Sequence, residues 1–155
     1  RWQPTWGMPA VPAPPHTYGI YDPAMRCDHW LDMRWDAPSA MYLQVGACPH
    51  CADRADNPAV AHQAHILTPE TEGSTHYFWA TTRAFPPSVE GAAMLHGLLS
   101  QAFDQEDKPI IEATYANMDG RDFWDLKPAY LGIDAGGTTA RRVLAKLIAA
   151  EGEGA

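Results

Sequence analysis

The spacing of apolar residues changes once along this chain, at Pro86-Pro87, and that change limits the folds open to it. Before it, Met41, Leu43, Val45 and Ala47 alternate with Tyr42, Gln44 and Gly46, the period-two pattern of a half-buried strand. After it, Leu95, Leu99 and Phe103 recur every four residues, with Leu98 and Ala102 beside them, which is helical spacing. Strands followed by helices, without βαβ alternation, predict an α+β domain built on an antiparallel sheet. No internal repeat is present.

The predicted elements follow from local chemistry. Residues 1–25 hold six prolines, which exclude a helix or a central strand, while Trp2, Trp6, Tyr18 and Tyr21 suggest an extended segment lying on a surface. Residues 27–36 and 39–48 read as strands joined by the turn Asp36-Ala37-Pro38-Ser39. A polar loop, Pro49 to Asn57, separates them from a second hairpin. Its arms are residues 61–68 and 75–84, around Pro69-Glu70-Thr71-Glu72-Gly73-Ser74. Ser88 is an N-cap for the next helix, which Pro109 should kink or restart. Residues 119–130 read as irregular. Thr138 or Thr139 is expected to cap a last helix with Val143, Leu144, Leu147 and Ile148 on its apolar face.

Composition bounds the function. Eleven Lys and Arg against 19 Asp and Glu give a net charge of -8 without any basic run, so a nucleic-acid partner is not expected. No apolar run approaches the ~20 residues of a membrane span, and no signal-peptide pattern opens the chain. Three cysteines are an odd number and too few for a disulfide framework, which points to a cytoplasmic setting. The chain starts with Arg1 and not Met, and is expected to be part of something longer.

One residue carries most of the chemistry. Asp107 continues the series Leu95, Leu99, Phe103 by a further helical turn, which places a carboxylate on the buried stripe. Such a group must be paired, protonated or metal-bound. A salt bridge to Lys108 or to an arginine elsewhere is the plain alternative. Among the histidines, His62 and His65 fall in a strand, where H-x-x-H spacing sends them to opposite faces. His65 is then a polar group on the inner face, and His76 and His96 read as structural.

Three motifs imitate known sites without their context. Cys48-Pro49-His50-Cys51 has C-x-x-C form, but no convincing helix follows to stabilise a thiolate. Cys27-Asp28-His29 with Cys48 imitates half of a Rieske [2Fe–2S] motif, but Cys51 stands where histidine is needed. If 27–48 is a hairpin, Cys27 and Cys48 lie nearly opposite each other, as plain buried thiols, a loose zinc site or a redox-labile pair. Gly132-Ile133-Asp134-Ala135-Gly136-Gly137-Thr138-Thr139 copies an ATPase phosphate loop, yet only a helix follows it, so its glycines read as a flexible approach to a capped helix.

Several ordered motifs together resemble the C-terminal catalytic part of Rieske-type non-heme iron oxygenases, in the vanillate O-demethylase-like branch. They are Arg34-Trp35-Asp36-Ala37-Pro38-Ser39-Ala40-Met41, His65-Ile66-Leu67-Thr68-Pro69-Glu70-Thr71, and His76-Tyr77-Phe78-Trp79 with Thr82-Arg83-Ala84-Phe85. Gln105-Glu106-Asp107-Lys108-Pro109-Ile110-Ile111-Glu112-Ala113 and Ile133-Asp134-Ala135-Gly136-Gly137 with Ala140-Arg141-Arg142 complete the set.

The resemblance implies a helix-grip (START-like) antiparallel sheet curled around a long helix, here incomplete. Residues 1–27 would be an extended segment of that domain and 28–155 its C-terminal part, with the Rieske domain absent. It implies mononuclear Fe(II) held by two histidines and a carboxylate, Asp107, with the two histidines upstream of this stretch. A Rieske [2Fe–2S] cluster would be fed from NAD(P)H by a separate reductase in a homotrimer, with a small aromatic acid as substrate. His65 would hydrogen-bond the substrate's carboxylate or phenol, and Leu43, Val45, Leu95, Leu98 and Phe103 would form apolar walls. The alternatives are a stand-alone START-like module that binds a hydrophobic small molecule without redox chemistry, and an assembly subunit keeping only the fold.

Overall fold

The computed structural model describes residues 5–57, 60–82 and 88–152. Among these residues the chain forms one five-stranded antiparallel meander followed by helices. The strands are β1 (Thr5–Pro12), β2 (Arg26–Asp36), β3 (Ala40–Pro49), β4 (Val60–Pro69) and β5 (Thr75–Thr81), in the spatial order β1-β2-β3-β4-β5. The α+β class expected from the period change is therefore observed. Arg83, Ala84 and Phe85 of the resemblance, with the end of the second hairpin arm, lie outside the described residues, as do Trp2, Pro4 and Pro86-Pro87.

The proline-rich start is an edge strand, where a missing N–H costs the sheet least. β1 pairs with β2 from Thr5↔Asp32 to Pro12↔Arg26, broken by a bulge between Met8 and Val11 that takes in Pro9 and Ala10. Ala10 turns left-handed there, at φ 55°. The carboxylate of Asp28 accepts its N–H at 2.9 Å. Asp28 also accepts the N–H of Cys51, a second left-handed residue at φ 66°, at 3.1 Å, and meets His50 Nδ1 at 2.7 Å. These hydrogen bonds hold the Asp28 carboxyl at about 2, well below the usual carboxylate range.

The β2–β3 hairpin corrects one expectation. Asp36 pairs with Ala40, so its loop is Ala37–Ser39 and every partner shifts by one from the expected register. Cys27 lies opposite Pro49 and Cys48 opposite Asp28. Both are buried free thiols, and Cys51 is exposed. Burial raises the Cys27 and Cys48 thiols, the reverse of redox activation. In the same hairpin Gly46 faces Trp30, and a Cβ on Gly46 would fall 2.1 Å from the indole Cζ2. Only glycine fits under that ring. The second hairpin pairs from Gln63↔Thr81 to Pro69↔Thr75, closed by Glu70 N–H donating to the Ser74 carbonyl, as expected.

The chain divides into two compact units, Arg1–Pro86 with Gly136–Ala155, and Pro87–Ala135. In the second, Ser88 Oγ accepts the Gly91 N–H at 2.9 Å and starts α1 (Val89–Ser100). The helix runs through a π-helical turn, Gln101–Asp107, into α2 (Lys108–Met118). Lys108 N–H reaches the Phe103 carbonyl, five residues back. Pro109 has no N–H to give, so the wider turn ends where the proline interrupts the ladder. Asp119 closes α2 in the left-handed conformation at φ 52°.

The last helix, α3 (Ala135–Gly152), begins earlier than its threonines suggested. The carboxylate of Asp134 accepts the Leu131 N–H at 2.8 Å in the preceding turn, so this aspartate organises the start. Gly136 and Gly137 are helical, not a flexible approach. Val143 and Leu144 are half-buried, whereas Leu147 and Ile148 are exposed. No helix among the described residues is long and apolar enough to cross a membrane.

Candidate functional site

Strand pairing sorts the side chains onto two faces, because residues directly opposite in an antiparallel ladder project the same way. One face carries Leu31, Met33 and Trp35 on β2, Met41, Leu43, Val45 and Ala47 on β3, and Ala61, Gln63 and His65 on β4. Tyr77 and Trp79 extend it onto β5. The structure thus brings together three of the residues expected to meet substrate, Leu43, Val45 and His65. Val45 is buried between Leu31 and Ala61, and Leu43 is half-buried between Met33 and Gln63.

His65 is the buried polar side chain of this largely apolar face, which also carries Gln63 and His29. It is 4% exposed, with Met41 and Trp79 as its paired neighbours. Its Nδ1 lies 2.6 Å from the Tyr77 hydroxyl, and the two rings stack with centres 5.8 Å apart and planes 15° apart. Burial lowers the imidazole below its ordinary value of 6.5, so the ring is neutral near pH 7. A neutral, oriented imidazole can donate or accept a single hydrogen bond without bringing a buried charge. His62, three residues earlier, is exposed on the other face and bonds Tyr42 there, as the strand period requires.

That other face holds a hollow of about 540 Å³ lined by Trp30, Gln44, Arg54, Val60 and His62. Two of its lining side chains are held by neighbours. Arg54 lies 4.3 Å over the Trp30 ring and forms an ion pair with Asp32, and Asn57 accepts from Tyr21 at 2.9 Å.

The remaining expected site residues belong to the helical unit. Leu95 is buried at 7% exposure, Phe103 is half-buried, and Leu98 is 42% exposed, off the stripe. Asp107 corrects the sequence reading, because it is exposed and not buried. The i, i+4 series assumed an unbroken α-helix, and the π turn takes the residues after Phe103 out of that phase. Lys108 bonds Glu112 at 3.5 Å, so the plain pairing expected for Asp107 goes to another carboxylate. Sequence reasoning missed Tyr77 as the partner of His65. Its place two positions from Trp79 on the same face was a signal, available only once the register was known.

Iron(II) of the oxygenase type needs more donors than one carboxylate. Among the described residues no three His, Cys, Asp or Glu side chains gather as a cation site. Asp107 has the right chemistry for one ligand, and these residues alone do not complete the set.

Comparison with known proteins agrees with the motif reading. Residues 2–150 match the family described as vanillate O-demethylase oxygenase C-terminal domain. The oxygenase component of chloroacetanilide N-alkylformylase from Rhizorhabdus wittichii (strain DC-6 / KACC 16600) is 40% identical over 126 residues, covering 81% of this chain and 36% of that protein. The crystal structure of apo dicamba monooxygenase superposes with a TM-score of 0.81 at 27% identity, covering 99% of this chain and 48% of that one. Dicamba monooxygenase with non-heme iron and dicamba gives 0.75, again at 27% identity, covering 99% and 47%. The chain thus spans about a third of the first relative's length and about half of these crystallised chains.

Proposed function

The chain belongs to the family of vanillate O-demethylase oxygenase C-terminal domains, and from that premise we propose that it is the C-terminal catalytic part of a Rieske-type oxygenase. The intact enzyme would demethylate or hydroxylate a small aromatic acid with O2, using electrons that a separate reductase draws from NAD(P)H. A Rieske [2Fe–2S] cluster, a homotrimeric assembly and a cytoplasmic setting belong to the same proposal. The observation that carries it is His65, a buried neutral imidazole on a largely apolar face, held by Tyr77.

In this reading Leu31, Leu43 and Val45 exclude water and accept the flat ring, while His65 hydrogen-bonds its carboxylate or phenol. Asp107 would be the carboxylate ligand of the mononuclear iron, whose two histidine ligands the resemblance puts upstream. When bound, the iron supplies the oxygen chemistry. Leu95, Leu98 and Phe103 would be apolar walls contributed by the helix.

The deciding experiment is made in the full-length oxygenase. Asp107→Asn is expected to lose mononuclear iron by metal analysis, keep the Rieske cluster by its absorbance, and lose turnover. Retention of iron and activity would remove Asp107 from the site. Uptake of an aromatic acid by the iron-free 155-residue chain, lost in His65→Ala, with no activity from any full-length protein, would favour the binding-module alternative instead.

A further inference from the structure

At the β1 end of the sheet two imidazoles meet that the oxygenase reading does not use. His29 on β2 is paired with Met8 and Ala47, and its ring centre lies 5.4 Å from that of His16, in the short turn Pro15–Thr17, with planes tilted by 44°. Trp6 stands edge-on to His29 at 6.4 Å. His29 Nδ1 is 2.9 Å from the Gly46 carbonyl. A carbonyl only accepts, so Nδ1 carries the proton and the lone pair is left on Nε2. A metal-bound histidine is prepared in that way, its other nitrogen donating to a backbone oxygen.

His16 supplies the second observation. Its Nε2 is buried and meets no hydrogen-bond partner among the described residues. A buried unsatisfied nitrogen calls for an occupant, a water or an ion. Burial lowers both rings, His16 to about 4, so both are in the neutral form that ligates. The spacing is suitable too. With metal–nitrogen bonds of about 2.0–2.1 Å and a tetrahedral angle, two imidazole centres lie about 5.2 Å apart.

We propose that His16 and His29 together bind a divalent transition-metal ion of the zinc or copper class, with water completing its coordination. No third His, Cys, Asp or Glu joins them among the described residues, so the affinity is that of a two-imidazole chelate. The ion would fasten the turn Pro15–Thr17 to the centre of β2. The proposal rests on these two side chains and does not depend on the oxygenase reading.

The test is a titration of zinc chloride into the full chain at pH 7.5, followed by 15N NMR of the imidazole nitrogens, assigned through bonds in the wild type. The expected result is that the His16 and His29 signals move together and saturate at one equivalent. His16→Ala and His29→Ala should each weaken zinc binding at least tenfold, and His62→Ala should leave it unchanged. Zinc held instead by His50 and Asp28 would move other signals and survive both variants, which overturns the proposal. If an alanine variant does not fold, the wild-type spectrum decides alone: His16 and His29 signals unmoved at saturating zinc sink it.

Discussion

The hydroxyl of Tyr77 sits 2.6 Å from His65 Nδ1 although these residues are not register partners, since His65 pairs with Trp79 and Tyr77 with Leu67. The contact is a diagonal one, two residues along β5, within reach of aromatic side chains on one face. Tyr77 is itself 42% exposed, so its ring covers the imidazole and its hydroxyl orients it.

Tyr77→Phe keeps the ring and removes that hydroxyl, leaving a buried nitrogen without its partner. The expected cost is about 1–2 kcal/mol in urea unfolding, with a shift in the His65 imidazole signals. Unchanged stability together with unchanged signals would show that the contact has no role in positioning His65.

The pH dependence of that histidine has a definite sign. Its folded value lies below the unfolded 6.5, so the unfolded chain takes up a proton that the folded chain refuses. The stabilisation is full above about pH 6.5 and is lost as pH falls through 6.5 toward the folded value. Urea unfolding at pH 7.5, 6.5 and 5.5 should show stability falling, by at most about 1.4 kcal/mol per pH unit for this one group. His65→Gln should remove this share of the slope, and parallel profiles for the two proteins would contradict it.

Gly46→Ala drives a methyl into the Trp30 indole, with 2.1 Å between Cβ and Cζ2. Overpacking of that kind costs about 1–3 kcal/mol, and the ring sits in a sheet that cannot easily yield. The double variant Gly46→Ala with Trp30→Leu should recover part of the loss. Additive losses in the double variant would place the strain elsewhere.

Asp28→Asn removes the charge that two left-handed residues share. Amide exchange at Ala10 and Cys51 should quicken while exchange in the β3–β4 ladder stays slow, because only the bulge and the loop after β3 lean on this carboxylate. Uniform quickening across the sheet would instead make Asp28 part of the global core.

Legibility followed the range of each signal. The opposite faces of His62 and His65, the turn at Pro69–Ser74 and the Ser88 cap were readable because strand period, turn residues and capping are local. The exposure of Asp107 was not readable, since nothing nearby except Pro109 signals a π turn. The left-handed Ala10 was hidden because such a bulge usually announces itself with glycine or asparagine. The offset of Cys27 from Cys48 depended on one residue of loop length, and the role of Gly46 on an indole sixteen positions away. Both are properties of register, which no single strand contains.

The π turn also makes chain length a variable of the helix. A π turn is an α-helix with one residue more than its pitch allows, so a single-residue deletion within Gln101–Glu106 could restore a plain rod. The two halves would then turn about 100° relative to each other and close by about 1.5 Å. Every side chain from Asp107 to Met118 would change compass bearing without any of them being altered. The heading of that carboxylate is thus written in the count of residues before it.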